Sequence, residues 1–227
     1  MRITERLTML RFAVGQAYLW RDGDDLTLID TGPAGSGPAI AAAVAGLGMD
    51  TAAIRRIVLT HGHNDHAGAA AEVRAWHGAP VHAHHADVAL VQGEQPPPEP
   101  VLTADWEREL FAAIVPGVPP AAPCPVDVVL RGGEVLDFGA RVIGVPGHTP
   151  GSLALHLPED GVLFTGDTIA EHEGRIMLGV FNSDPALAVE SFRRQAALDG
   201  VEIACFGHGD PVLAGASAAL RTAAADL

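Results

Sequence analysis

The sequence of 227 residues predicts a single α/β domain. Short runs of apolar, often β-branched residues alternate with segments whose apolar residues recur at helical spacing. Several of these runs end directly at a histidine or an aspartate, and such residues are typical of the functional edge of an α/β sheet. We therefore expect one domain that spans residues 1–227, with a sizeable core.

The first half of the chain predicts strands, each followed by a turn or a helix. Asp22-Gly23 is a hairpin turn, because glycine adopts positive φ without strain. The expected strands lie within residues 3–14, 17–20, 26–29, 55–60 and 80–83, and the expected helices within 38–47 and 67–77.

The second half returns to short strands after a proline-rich segment. The expected strands begin at residue 126 and lie within 141–145, 152–157, 161–165 and 201–206; the expected helices are 185–198 and a last Ala-rich helix.

The composition excludes several classes of protein. The formal net charge of −14 argues against a nucleic-acid partner. The two cysteines, Cys124 and Cys205, are too few for a disulfide framework. The longest apolar run, around residues 40–49, is far short of a bilayer span. We expect a cytoplasmic protein that binds neither nucleic acid nor membrane.

Residues 93–125 form a proline-bracketed insertion. Trp106, Leu110, Phe111 and Ile114 fall at helical spacing between the prolines. One interpretation is an ordinary amphipathic helix packed on the core. We favour a lid in which Trp106 and Phe111 line a substrate pocket, since insertions of this length often carry specificity.

The segment 61–66 concentrates potential metal ligands in one loop. It follows a buried strand and contains His61, His63, Asp65 and His66. In an extended segment His61 and His63 point the same way, while Asp65 and His66 at a helix start turn toward a second point. One loop could therefore supply two adjacent ions.

Three further strands end at candidate ligands, which are His148, Asp167 and His208. Imidazole and carboxylate suit zinc, and also iron or manganese. Seven ligands are too many for one tetrahedral ion but suit two ions that share a carboxylate. Asp167, alone on its strand, is the expected bridge.

Other polar residues allow two interpretations. Asp30 follows a buried strand, and either caps a helix or turn, or orients the ligand loop from outside the coordination sphere. A second histidine cluster comprises His82, His84 and His85. We assign it a structural or surface role, because no acidic partner completes a site there.

Five motifs in order carry a resemblance that covers the chain from Val14 to about Pro211. They are Leu-Ile-Asp-Thr-Gly at 28–32, HxHxDH at 61–66, Gly-His-Thr-Pro-Gly at 147–151, Thr-Gly-Asp-Thr at 165–168 and Gly-His-Gly at 207–209. This pattern resembles the metallo-β-lactamase-fold hydrolase superfamily. The resemblance implies a four-layer αββα sandwich with two metal ions along one edge of the sheets.

The same resemblance implies a role for each ligand. His61, His63 and His148 match the first metal site. Asp65, His66 and His208 match the second. Asp167 matches the bridging carboxylate, and Asp30 matches an aspartate that orients the ligands.

The implied activity is hydrolysis of an ester, lactone, thioester or amide of a small molecule. Two divalent ions lower the pKa of a bridging water, and the resulting hydroxide attacks a polarised carbonyl. Asp65 would hold one ion, orient the nucleophile and pass a proton to the leaving group.

Departures from the motifs of named subfamilies restrict the substrate classes that the resemblance allows. His66 disfavours β-lactamases that use a cysteine there. Glyoxalase II enzymes carry a basic C-terminal helical region, whereas only 19 residues follow His208 here, with Arg221 alone among them basic. Acyl-homoserine lactonases use a tyrosine where this chain has Ala170, and Tyr18, the only tyrosine, is expected in a strand core.

A rival interpretation is a mononuclear iron dioxygenase acting on persulfides, which would use the His61, His148 and Asp167 positions. A non-catalytic relic is disfavoured by the complete ligand set. The sequence leaves a homodimer open, with residues 93–125 as either lid or dimer contact.

Overall fold

The computed structural model describes residues 1–227 and divides the chain into two compact units. The first unit comprises Met1–Pro97 and Pro116–Val129. The second comprises Pro98–Val115 and Leu130–Leu227. The segment 93–125 is thus divided between them, and its role as a lid stays a prediction. The single domain across residues 1–227 likewise stays a prediction.

The first unit is built on a six-stranded mixed sheet in the order β1-β2-β3-β4-β5-β6. Its strands are β1 Leu7–Arg11, β2 Gln16–Asp22, β3 Asp25–Ile29, β4 Ile54–Val58, β5 Val81–His84 and β6 Val128–Leu130. Strands β1 to β3 form an antiparallel meander, and β3, β4 and β5 run parallel. Parallel strands place their carboxyl ends at one edge, so residues that follow β3 and β4 become neighbours.

Four helices belong to this unit: α1 Gly37–Gly46, α2 Asn64–Ala67, α3 Ala70–His77 and α4 Val88–Val91. They contribute Ile40, Val44, Val73 and Val91 to one apolar cluster that also holds Leu28. These buried side chains fix the strands whose ends carry the ligand loop.

The second unit contains a four-stranded mixed sheet in the order β12-β9-β8-β7, and a separate hairpin. The sheet strands are β7 Arg141–Gly144, β8 Leu153–Leu157, β9 Val162–Phe164 and β12 Ile203–Cys205; the hairpin strands are β10 Ile169–His172 and β11 Arg175–Leu178. The helices are α5 Asp105–Ile114, α6 Pro185–Ala196 and α7 Ala216–Ala225. Phe192, Phe206 and Leu220 are fully buried in its core.

Strands β9 and β12 run parallel, with Phe164 opposite Cys205. The residues that follow them, Asp167 and His208, therefore leave the sheet at the same edge. Asp184 caps α6 by accepting a hydrogen bond from the backbone N–H of Leu187 at 3.0 Å.

Three elements differ from the prediction, and one of them, the short helix α4, was not predicted. The helix expected over 67–77 begins at Asn64 and is divided into α2 and α3. At the division, Ala69 N–H donates to the Thr31 hydroxyl. The backbone of Gly68 also approaches that of Ala34, where an added side chain would lie 2.3 Å from the Ala34 nitrogen. Because α2 starts early, Asp65 and His66 lie inside a helical turn.

The hairpin β10–β11 was not predicted. Its two-residue turn, Glu173-Gly174, has positive φ at both residues, 51° and 80°. This geometry matches the twist of a hairpin but is usually signalled by Asn-Gly or Asp-Gly. Because residue 173 is a glutamate, the sequence lacks the usual signal for this turn.

Both cysteines are buried, and neither forms a disulfide. Burial raises the pKa of the Cys124 thiol to about 11 and also raises the pKa of Cys205. None of the seven helices reaches the length and apolarity that a bilayer crossing requires.

Candidate metal centre

Four of the seven candidate ligands lie between the end of β4 and the end of α2. The chain leaves β4 extended, and His63 occupies the N-cap position of α2 with extended dihedral angles. His61 and His66 are buried, and His63 is partly exposed. Asp65 lies in the first turn of α2. The turn therefore separates the two ligands of the extended segment from the two of the helix.

Asp30 orients this segment through hydrogen bonds to both of its parts. Its Oδ1 accepts from the backbone N–H of Thr60 at 2.7 Å, and its Oδ2 accepts from the Thr60 hydroxyl at 2.8 Å. The same Oδ2 lies 2.9 Å from Nδ1 of His66. Asp30 adopts a positive φ of 56°, which aspartate tolerates better than most residues. One buried carboxylate thus holds the loop and one ligand.

The Thr60 hydroxyl extends this network to His61. It lies 3.1 Å from Nδ1 of His61. Since the hydroxyl proton is donated to Asp30, the oxygen accepts from His61, whose Nδ1 carries the proton. The Nε2 lone pair of His61 is therefore directed away from Thr60.

Three ligands come from the second unit, each after a different strand. His148 follows β7, Asp167 follows β9 and His208 follows β12. Oδ2 of Asp167 lies 3.1 Å from Nε2 of His208 and 3.6 Å from Nε2 of His148. One carboxylate oxygen therefore lies near two imidazole nitrogens.

The backbone holds His148 in place. Its Nδ1 donates to the carbonyl of Val180 at 3.1 Å, because a carbonyl can only accept. Its own carbonyl accepts from Ser183 N–H at 3.2 Å, and the Gly147 carbonyl accepts from Asp184 N–H at 2.9 Å. The loop that follows β11 therefore fixes both the ring and the backbone of this ligand.

The seven predicted ligands form two groups. Within each, one ligand atom per residue lies within 4.8 Å of the others. The first group is His61, His63 and His148, and the second is Asp65, His66, Asp167 and His208.

The residues fit two divalent cations by their chemistry. His61, His66 and His148 each carry the proton on Nδ1, held by a hydroxyl, a carboxylate and a carbonyl, so that Nε2 is the donor atom. Imidazole and carboxylate suit zinc, iron and manganese. No thiol contributes, and the raised pKa of Cys205 keeps it protonated, whereas a thiol ligand must ionise.

The other predicted residues lie outside these groups. Trp106 and Phe111 lie on α5, where Phe111 makes an edge-to-face contact with Phe181 at 5.2 Å between ring centroids. His82, His84 and His85 belong to neither group. The roles assigned to all of these residues, and to the seven ligands, stay predictions.

Three positioning groups were missed in the sequence. They are the Thr60 hydroxyl, the Val180 carbonyl and the carboxylate of Asp87, which accepts from the backbone N–H of Gly62 at 2.9 Å. Thr60 directly precedes His61 and could have been found from that position. Asp87 and Val180 lie 25 and 32 residues from their partners and give no local signal.

Comparison with known families identifies the class of protein. A family model described as the Metallo-beta-lactamase superfamily matches residues 10–208. The chain belongs to this superfamily. The predicted fold class is confirmed as the metallo-β-lactamase fold, with two mixed sheets flanked by helices.

Two curated relatives and one solved structure describe the similarity further. A hydroxyacylglutathione hydrolase of Fuscovulum blasticum is 33% identical over 156 residues, which cover 67% of this chain and 47% of the relative. The probable metallo-hydrolase YflN of Bacillus subtilis (strain 168) is 30% identical over 178 residues, 70% of this chain and 66% of the relative. The chain spans about half the length of the hydroxyacylglutathione hydrolases that it matches.

The solved structure is that of TTHA1623 in a di-iron-bound form. It is 29% identical with a TM-score of 0.68, and the match covers 91% of this chain and 94% of that chain. The metal in that structure is a property of that protein.

Proposed function

We propose that this protein is a hydrolase that holds two divalent metal ions, with zinc as the metal, and cleaves an ester, lactone, thioester or amide bond of a small molecule. The observation that carries the proposal is the division of seven side chains into a group of three and a group of four. A mononuclear iron dioxygenase that uses the His61, His148 and Asp167 positions would not need Asp65, His66 and His208.

In this proposal each group holds one ion. His61, His63 and His148 bind the first, and a set of three protein ligands keeps a coordination position for water. Asp65, His66 and His208 bind the second. Asp167 would be shared by the two ions, because its Oδ2 lies near an imidazole of each group.

The ions, when bound, lower the pKa of water to about 7 in the case of zinc and polarise a carbonyl oxygen of the substrate. The side chains of the protein supply the remaining functions. Asp30 holds Nδ1 of His66 and, through Thr60, Nδ1 of His61, so both rings keep one orientation.

Asp65 is the acid assigned to proton transfer. Its side chain is 17% exposed, compared with 10% for Asp167, so it is the more accessible carboxylate of the second group. It lies 3.5 Å from Nε2 of His66 through Oδ2. In the proposal Asp65 accepts a proton from the attacking water and delivers it to the leaving group.

The names of the relatives support thioesters among the four bond types. The donor set supports zinc, with iron as the alternative to be measured. Cytoplasmic location is proposed because both thiols are buried and unpaired in disulfides. A small-molecule substrate, with no nucleic acid or membrane as partner, accords with the net charge of −14; we leave a homodimer open.

The test combines metal analysis with a substrate panel. Purified protein should contain about two zinc equivalents and, in a panel of lactones, thioesters, phosphodiesters and β-lactams, should hydrolyse at least one lactone, thioester or β-lactam. The variant Asp167→Ala should lose metal and turnover, whereas Asp199→Ala, at an exposed ion pair with Arg221, should retain both. One iron per chain, together with oxygen uptake on a persulfide, would replace this proposal with the dioxygenase.

A further inference from the structure

The segment that follows β5 lies against the middle of the ligand loop. Gly62 separates His61 and His63, which both belong to the first metal group. Its backbone N–H donates to Oδ2 of Asp87 at 2.9 Å. The Asp87 side chain comes from a residue only 2% exposed, at the N-cap position of α4. The buried Asp87 carboxylate therefore binds the backbone N–H of the residue that lies between the ligands His61 and His63.

Helix α4 contacts Gly62 a second time through Leu90. A side chain added at Gly62 would lie 2.7 Å from Cδ2 of Leu90, closer than real contacts allow. The Cα of Gly62 is thus covered by Leu90 while its N–H is bound by Asp87. The peptide between the two histidines is held from two directions by the same short segment.

We propose that Asp87 is a positioning residue for the first metal ion, and that it acts by accepting the Gly62 N–H. This inference rests on the proposed function, since it concerns the metal site of that function. His61 is oriented through its ring by Thr60. The separation of the two imidazoles also depends on the peptide that joins them, and Asp87 accepts the N–H of that peptide.

The geometry assigns different effects to three substitutions. Asp87→Ala leaves the Gly62 N–H buried without its acceptor. Asp87→Glu keeps the charge but displaces the accepting oxygen by one methylene. Asp87→Asn keeps an oxygen in the same place, because an amide oxygen also accepts from N–H. If position rather than charge matters, the asparagine variant should recover what the other two lose.

The experiment titrates metal-free protein with Zn²⁺, and with Co²⁺ as a spectroscopic probe, so that no readout depends on turnover. The two binding steps are assigned with His63→Ala for the first ion and His208→Ala for the second. Asp87→Ala and Asp87→Glu should lower the affinity for the first ion about 10- to 100-fold and change its Co²⁺ absorption spectrum. The second ion should bind within about twofold of the parent, and Asp87→Asn should restore the first site.

Asp127 provides a matched control in the same unit. Its carboxylate accepts a hydrogen bond from the backbone N–H of Val81, also at 2.9 Å. Val81 is not adjacent in sequence to any of the seven candidate ligands. Asp127→Ala should lower thermal stability and leave both metal affinities unchanged.

The inference is overturned if Asp87→Ala or Asp87→Glu keeps the parent's affinity for the first ion. It is equally overturned if these variants weaken both ions to the same extent, as a general loss of structure would. Should the alanine variant fail to fold, the comparison of glutamate with asparagine still decides. A parent protein that binds two ions but cleaves no substrate would remove the proposed function and leave this inference standing.

Discussion

Asp30 connects a local backbone feature to both metal groups. Its positive φ turns the chain after β3, and its two oxygens then reach Thr60 and His66. Through the Thr60 hydroxyl the same carboxylate acts on His61, a ligand of the other group. A single residue outside the ligand set therefore controls one imidazole in each group.

The first prediction separates these two connections. Asp30→Asn should lower the affinity for both ions about 10- to 100-fold, because the amide cannot accept from both Thr60 and His66 as a carboxylate does. Asparagine also tolerates positive φ, so the backbone is not an additional variable. Thr60→Val should weaken the first ion only. The measurement is competition with a chelator, and equal weakening of both ions by Thr60→Val would contradict the assignment.

A second prediction concerns the buried His156 on β8. Burial, with a smaller effect of the Arg141 charge, lowers the pKa of His156 from its usual value near 6.5. As the pH falls, the unfolded chain therefore binds a proton before the folded chain does, and stability is lost below about pH 6.5. His156→Leu should flatten this loss between pH 7 and pH 5.

Urea unfolding at both pH values measures the effect, and the difference from the parent isolates His156 from the other histidines. His172→Leu, at an exposed histidine, is the control. An unchanged pH dependence in His156→Leu would show that this histidine does not contribute.

At the scale of elements, the hairpin β10–β11 packs closely on the turn that carries Asp167. Gly179, directly after β11, donates its N–H to the Thr168 carbonyl at 3.1 Å. A side chain at Gly179 would lie only 1.7 Å from the carbonyl oxygen of Asp167. The position of the Asp167 carboxylate therefore depends on a glycine twelve residues later in the chain.

The third prediction tests this close approach. Gly179→Ala should lower the free energy of unfolding by about 1–3 kcal/mol, since the backbone has to move. It should also reduce metal content, because Asp167 lies on the displaced turn. Gly144→Ala is the matched control, as nothing lies within 4 Å of its added methyl group. Thermal unfolding and metal analysis measure both effects. Normal metal content in Gly179→Ala would show that the hairpin does not position the metal ligands.

Helix α5 differs from the other long helices because none of its residues is buried. Leu110, Phe111 and Ile114 are partly buried, whereas Trp106 is 51% exposed. Thr103, Ala104 and Glu107 form a capping arrangement at its start. The Trp106 ring is therefore the accessible apolar group of this helix.

The fourth prediction concerns this face. Trp106→Ala should raise KM several-fold for the preferred substrate, with kcat and thermal stability nearly unchanged, because an exposed ring contributes little to packing. Phe111→Ala should in addition cost about 0.5–1.5 kcal/mol through its contact with Phe181. Glu109→Ala on the same helix is the control. A parent-like KM in both aromatic variants would assign α5 to another role, such as a dimer contact.

For the whole molecule, metal binding and folding should be coupled. The seven ligands are spread from His61 to His208, so the two groups exist only in the folded chain. A ligand present at 100 times its Kd stabilises the folded state by about 2.7 kcal/mol.

The fifth prediction follows directly. Chelation should lower the melting temperature, and Zn²⁺ added after the chelator is removed should restore it. Mg²⁺ is the control, because it prefers oxygen ligands and should restore little. Calorimetry with parallel metal analysis measures the change. Full metal removal without any loss of stability would argue against ligands held by the folded chain.

The sequence alone was sufficient for most elements and for all candidate ligands. Buried strands such as β4 and β9 are recognised from local apolar runs, and the ligands lie within a few residues of the end of such a strand. The exceptions were helix α4, the divided helix over 67–77, where Ala69 N–H bonds to Thr31, and the hairpin β10–β11 with its unusual Glu173-Gly174 turn.

The resemblance implied which ligands share a group, but only the tertiary structure shows the atoms that hold each ligand in place. Asp167 lies near His208 because β9 and β12 run parallel and end at the same edge of their sheet. The bonds from Asp87 to Gly62 and from His148 to Val180 join residues 25 and 32 positions apart. Local patterns contain the identity of a ligand, but its orientation is set by groups that reach it only after the chain has folded.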